Sequence, residues 1–372
     1  MSTATGPLRG VKVVELAGMG PAPFCAMLLA DMGADVIRVE RANAPERGIP
    51  VDPRFEVLNR GRRSVALDLK TPAGLGTLLQ LVERADILLE GFRPGAMERL
   101  GAGPKECHAV NPRLVYGRMT GFGQDGPLAK AAGHDVNYIA LTGALAAMGP
   151  AGGPPTLPLN LVGDFGGGGM LLAVGVLAAH VHAKDSGQGQ VVDAAMVDGS
   201  ALLMASTFGL KAAGVWQPGR GNNILDGGAP WYGVYMTADG EYVSLGAIEP
   251  RFYSDLLQRL DLDEAQLPAR KDRNGWPQLR AAIAARILSR TRQQWQDALE
   301  GTDVCFAPVL SMEEAPRHAH MAARDAFIHI GGVPQPAPAP RFSRTPSAVQ
   351  RPPPTPGEHT QEVLRDWGIT TG

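Results

Sequence analysis

The sequence predicts an α/β protein, with a large domain on a mostly parallel sheet followed by a smaller α+β domain. Three observations carry this. Short β-branched and apolar runs alternate with helix-length segments through the first 120 residues, the order that builds βαβ units. The pattern changes near Asp226, beyond which Trp231 to Thr237 and Tyr242 to Leu245 flank an Asp-Gly turn, a hairpin signal. A chain of 372 residues also exceeds the size at which one core usually stops growing, so two domains are expected.

Taken in order, Val11 to Leu16 reads as a strand, Pro21 to Met32 as a helix and Asp35 to Glu40 as the next strand. Further strands are expected at Ser64 to Leu69, Asp86 to Glu90 and Leu114 to Met119, with Thr71 to Glu83 an intervening helix. From Gly163 a glycine run leads into a helix through Met170 to Ala183, and Val191 to Asp198 with the apolar stretch after it reads as more helix. Trp231 to Thr237 and Tyr242 to Leu245 flank Ala238-Asp239-Gly240, and helices follow near Arg251 to Leu260 and Trp276 to Ser289. The domains are drawn as 1–200 (large), 201–225 (linker helices), 226–330 (small α+β) and 331–372, a proline-rich segment returning to the large domain. Nine prolines between Val333 and Pro356 exclude a core helix or central strand there and predict an extended segment lying on another surface.

Composition narrows the function. A net charge of -2, from 35 basic and 37 acidic residues without like-charge blocks, argues against a nucleic-acid track or a membrane face. Cys25, Cys107 and Cys305 lie far apart, which excludes a disulfide framework and suits a reducing compartment. The start has no basic segment followed by an apolar one, the longest apolar run, Met170 to Ala179, is short for a bilayer, and Ile369-Thr370-Thr371-Gly372 is not a targeting address. A soluble, unprocessed, cytoplasmic protein is expected.

Several motifs invite chemistry. Gly18-Met19-Gly20 after the first strand, with Glu40 ending the next, suggests a dinucleotide fingerprint, but the third glycine is absent and Pro21 and Pro23 occupy the helix entry. No Lys-Ser or Lys-Thr follows Gly166 to Gly169, so it is not a phosphate-binding P-loop. His180 and His182, like His318 and His320, are spaced i,i+2 and would not share a helix face as metal ligands. Asp164 precedes the glycine run, where it is either a helix N-cap or a carboxylate at a place of close ligand approach. His134 is either a hydrogen-bonded loop histidine or a proton carrier, and Glu249 either a surface acid or a site residue. Arg41, Lys70 and Arg93 follow strands, where ligands of open parallel sheets bind; Arg99 lies close behind.

Six ordered blocks together resemble the α-methylacyl-CoA racemases of the family III CoA transferase superfamily. They are Leu29 to Arg38, Glu90 to Gly95, Gly133 to Tyr138, Asn160 to Phe165, Val192 to Gly199 and Gly246 to Pro250. The resemblance implies a Rossmann-like large domain, an interlocked homodimer in which the small domain of one subunit completes the partner's site, and a proline-rich tail that wraps. It implies that His134 and Asp164 are the acid and base pair, with Glu249 supporting His134. It implies CoA contacts at Arg41, at Leu67, Asp68, Leu69 and Lys70, at Gly91, Phe92, Arg93 and Arg99, and along Gly133, Asp135, Val136, Asn137 and Tyr138. It also implies a methionine-rich surface on which the acyl group shifts. No metal or redox cofactor is called for, CoA being part of the substrate. Inverting a carbon next to a thioester passes through an enolate and needs a proton-transfer group on each face, and His134 and Asp164 can supply the two. The Asp135 N–H is a candidate enolate donor if a helix starts there. The alternative is a family III CoA transferase with Asp164 as nucleophile, in which His134 would be idle. A non-catalytic CoA-binding protein is the third reading.

Overall fold

The structure, a computed structural model, describes residues 5–41 and 51–370 and divides into two compact units. The first comprises residues up to 144, 158–205 and from 320 on; the second comprises 145–157 and 206–319. Residues 145–157, assigned by the sequence to the large domain, thus belong by packing to the second unit, and the chain returns to that unit at Ser206.

The first unit is built on six parallel strands in the order β3-β2-β1-β4-β5-β6. They are β1 (Lys12–Leu16), β2 (Asp35–Glu40), β3 (Arg63–Ala66), β4 (Ile87–Glu90), β5 (Val115–Thr120) and β6 (Val191–Ala195). The apolar runs form strands buried on both faces: Val13, Val14, Ile37, Ile87 and Leu88 are wholly inaccessible to solvent. Val191 to Ala195 is strand where helix was expected. The paired β-branched Val191 and Val192 open it, it registers in parallel on Tyr116 to Thr120, and the helix starts only at Met196. The helix Pro21–Asp31 begins with two prolines in its first turn, where they cost no intrahelical hydrogen bond, and nine of its eleven residues are buried.

Glu15 is buried in β1 between two arginines. Arg38 and Arg62 each reach one of its carboxylate oxygens at 2.7 Å, and Arg38 also contacts the Gly18 carbonyl at 3.5 Å. Burial lowers the Arg62 pKa to about 10, although Glu15 pulls it up.

A continuous helical stretch, Leu161–Ser186, opens as a ten-residue π-helix (Leu161–Met170) and continues as an α-helix. At 26 residues and a mean hydropathy of 1.7 it is long and apolar enough to cross a membrane, which the short run Met170 to Ala179 did not indicate. Here Leu172, Ala173, Val176, Ala179 and Ala183 are buried, and the helix packs on β5 and β6. The C-terminal segment forms β10 (Phe327–Ile330) and β11 (Val333–Pro336) and then lies along the first unit. Arg60 binds Gln335 at 3.0 Å, the Gly61 N–H donates to Arg351, and the helix Thr360–Asp366 docks through Arg63, which meets Glu362 at 3.0 Å and Asp366 at 2.9 Å. Among the described residues β10 and β11 pair only with each other, so Pro334 and Pro336 interrupt no larger sheet.

The second unit carries an antiparallel sheet of β7 (Tyr232–Met236), β8 (Tyr242–Gly246) and β9 (Phe306–Pro308), with β7 and β8 joined by the expected Asp-Gly hairpin. Its core packs Trp231, Leu245, Tyr253, Leu256, Ile283 and Trp295 between that sheet and the helices Pro250–Arg259, Trp276–Ile287 and Arg292–Leu299.

Candidate active site

Strand order reverses between β1 and β4, and a crevice opens beyond the carboxyl ends of a sheet at such a point. Two cavities occupy it, of about 780 Å³ and 580 Å³, and Gly18, Met19, Gly20 and Phe92 line both. The Gly18–Gly20 loop, dismissed by the sequence as incomplete for a dinucleotide, is therefore the wall between them. Its position after β1 was the signal.

The larger cavity gathers the loops after β1, β2 and β3, and with them Arg41, Leu67, Asp68, Leu69 and Lys70. Asp68 shapes its loop: its side chain accepts from the Lys70 N–H at 3.0 Å and its carbonyl accepts from the Thr71 N–H at 3.1 Å. Thr71 then caps the helix Pro72–Glu83 through the Gly74 N–H. Arg41 and Lys70 are exposed, and both line the cavity. Sequence reasoning missed Val51, Phe55 and Asn59, and also Pro354 and Pro356 from the C-terminal segment; these reach the cavity only through tertiary folding.

The smaller cavity gathers Gly91, Phe92, Arg93, Gly133, His134, Asn137, Tyr138 and Asp164, together with Met119, Phe122 and Met196, which the sequence did not single out. Arg99, Asp135 and Val136 line neither cavity. Arg99 is exposed on the helix Ala96–Leu100, Val136 is exposed, and Asp135 is buried behind the wall. Glu249 belongs to the second unit. It is exposed at the start of the helix Pro250–Arg259, on a loop whose Ala247 carbonyl accepts from Arg270 at 3.2 Å.

His134 is the residue before the helix Asp135–Leu141, whose first turn is closed by Asn137: its Oδ1 accepts from the His134 N–H at 3.0 Å, and its N–H donates to the His134 carbonyl at 2.8 Å. A helix thus starts at Asp135. The Tyr138 hydroxyl donates to the Gly133 carbonyl, and its ring meets Phe122 edge-on at 4.9 Å, so the loop bearing His134 is pinned on both sides. Burial, and then the negative charge of Asp164, pushes the Tyr138 pKa up.

Asp164 is not an N-cap; that position belongs to Asn160, and Asp164 lies inside the π-helix, a geometry common at functional sites. Nor do the glycines clear a path for a ligand. A side chain on Gly167 would fall 2.6 Å from the Ser200 nitrogen and one on Gly169 2.6 Å from the Pro21 carbonyl, so the run lets neighbouring helices close on the π-helix. The Asp164 side chain accepts from Asn160 at 3.1 Å. Burial pushes its pKa up; the Asn160 hydrogen bond opposes this, the Asp135 charge adds to it, and His134 opposes it.

The CoA-transferase family III profile matches residues 8–360. The chain belongs to CoA-transferase family III. Among family members, α-methylacyl-CoA racemase of Mus musculus is 46% identical over 98% of this chain and 94% of its own length, and that of Homo sapiens is 43% identical over the same shares. The crystal structure of a CAIB/BAIF family protein from Brucella suis superposes with a TM-score of 0.83 at 26% identity, covering 98% of this chain and all of that one. The α/β fold with its six-stranded parallel sheet is thus a family III fold.

Proposed function

We propose that this family III chain is an α-methylacyl-CoA racemase, an isomerase that interconverts (2R)- and (2S)-2-methylacyl-CoA thioesters by proton transfer through an enolate. The carrying observation is that His134 and Asp164 line one cavity whose wall is shared with the cavity holding Arg41 and Lys70. A thioester can lie in the first while its CoA moiety occupies the second. Identity to the two racemases supports the same reading over a transferase, in which Asp164 alone would act and His134 would have no task.

In this mechanism neutral His134 removes the α proton of the S substrate while protonated Asp164 delivers one to the other face; for the R substrate the Asp164 carboxylate is the base and imidazolium His134 the acid. A partly buried Asp164 with a raised pKa suits both roles, because the protonated form is then populated closer to neutrality. The Asp135 side chain lies behind the cavity wall, but its N–H adjoins the cavity-lining His134 at the first helical position, has no intrahelical acceptor, and is assigned to the enolate oxygen. Arg41 and Lys70 serve the CoA phosphates, and Glu249 orients His134 from the second copy of a cytoplasmic homodimer.

The test is incubation with a 2-methylacyl-CoA in heavy water without an acceptor acid. Deuterium uptake at the α carbon with loss of configuration is expected. Acyl exchange with an added carboxylate and no uptake would replace the racemase by a transferase, and neither reaction would leave a binding protein.

A further inference from the structure

Asp135 is 6% exposed and lines neither cavity, yet it is the residue that joins the two halves of the reactive pair. Its main chain follows His134 directly, and its Oδ2 accepts the Asp164 N–H at 2.7 Å. The approach is close: a side chain on Gly163 would fall 2.5 Å from that Oδ2. Its other oxygen, Oδ1, is buried without a hydrogen-bond partner. A buried acceptor left half satisfied is costly, so a carboxylate here calls for a reason beyond packing. An asparagine would accept the same N–H without burying a charge.

We propose that Asp135 is a positioning residue that acts through Asp164: its buried carboxylate fastens the Asp164 main chain to the helix start at His134 and supplies the negative field in which the Asp164 side chain exchanges its proton. The inference rests on the racemase reading. The groups acting on Asp164 are Asn160 before the π-helix, and Asp135 and His134 at the start of the helix Asp135–Leu141. Tyr138, on the same helix as Asp135, feels the Asp164 charge in turn, and the other elements packed on the π-helix carry Cys25, Asp31, Tyr116, Arg118, His180, His182, Lys184, Asp185, Asp193 and Asp198, which are not among those groups. Asp135 is thus the one anion in the set, and its charge favours the protonated Asp164 that the S substrate requires.

Both directions need the pair to hold a single proton, so kcat/KM is bell-shaped with pH, and activity is lost on the acid side when a second proton is added. Removing the Asp135 charge lowers the Asp164 pKa and makes that second protonation harder, so the acid limb moves to lower pH. The overall equilibrium fixes the ratio of kcat/KM in the two directions, so the limb moves equally for both epimers.

The experiment compares pH profiles of kcat/KM, together with kcat and KM, for the full-length protein and its D135N, D135E and D135A variants, with folding checked by circular dichroism. D135N keeps the acceptor and is expected to shift the acid limb down with KM little changed. D135E keeps the charge on a longer arm, so the limb should stay in place while kcat falls. D135A loses both, and misplacing the base by about 1 Å would cost kcat on the order of 100-fold. An unmoved limb in D135N overturns the electrostatic part, and an unchanged kcat in D135A overturns the fastening. If D135N does not fold, D135E decides alone, a moved limb or a wild-type kcat counting against the proposal. Carboxyl ¹³C NMR, with the Asp164 signal assigned through D164N, reads the same shift without turnover. It therefore separates failure of this inference from failure of the racemase reading.

Discussion

At His134 and Asp164 the chemistry depends on two groups of different type sharing one cavity. Asp164 is held by Asn160 and by the Asp135 contact to its main chain, whereas His134 projects from a loop closed by Asn137 and Tyr138. The bonds that join these segments run through the main chain and through Asp135, Asn137 and Tyr138, not through the His134 or Asp164 side chains, so either side chain can be removed without dismantling the other. Inversion in either direction needs both, but exchange at one face needs only one. In heavy water, His134→Ala is expected to abolish inversion while Asp164 still exchanges the α proton of the R epimer with retention; Asp164→Ala should do the reverse for S. Label and configuration, measured separately on each pure epimer, check this. Inversion at near wild-type rate by either variant would assign the second base elsewhere. These residues were visible in the sequence as motif members, but Asp135 was read as a ligand contact because nothing in a linear sequence reveals that its carboxylate turns inward to the Asp164 amide.

The elements show where local pattern suffices and where it does not. Strands β1 and β4 were legible because strands buried on both faces read as short apolar runs, whatever surrounds them, whereas β3, Arg-Ser-Val-Ala at the sheet edge, ends three residues before the expected Leu69. β6 was not: its Val-Val-Asp-Ala-Ala run at the sheet edge passes directly into the helix Met196–Leu203, and only pairing with β5 makes it extended. The glycine run of the π-helix was noticed but misassigned, since its reason is the helix Met196–Leu203, nearly thirty residues away. A side chain on Gly199 would collide with the Gly167 carbonyl, between the elements that carry Met196 and Asp164. Gly199→Ala is therefore expected to destabilise the first unit by about 1–3 kcal/mol, as overpacking does, and to lower kcat through the displaced π-helix. Thermal unfolding and turnover measured together check this; a variant with wild-type values of both would show that the contact yields freely.

At the scale of the molecule, the described surface of the first unit leaves an apolar face that the fold itself does not cover. Leu161 is 56% exposed, Val174 and Val181 are 62% and Leu202 is 60%, while the opposite side of the same long helix is packed on β5 and β6. A helix apolar on both sides, with only one side buried, marks an association surface. The proposed homodimer would supply the cover, because a two-fold axis presents the same patch from each copy. The C-terminal segment is consistent with a chain whose parts lie far from where they are synthesised, since Pro354 and Pro356 reach a cavity formed by residues 16–100. No sequence pattern announces such a return beyond the prolines that keep it extended. If the copies interlock, they cannot part without partial unfolding, so assembly and stability are one quantity. The protein is expected to sediment as a dimer on dilution. Val174→Asp, which places a charge on the apolar face, should lower both the dimer fraction and the unfolding temperature, the latter in a concentration-dependent way. Sedimentation velocity and unfolding scans across a range of protein concentrations measure the two effects, and a stable, active wild-type monomer would rule the dimer out.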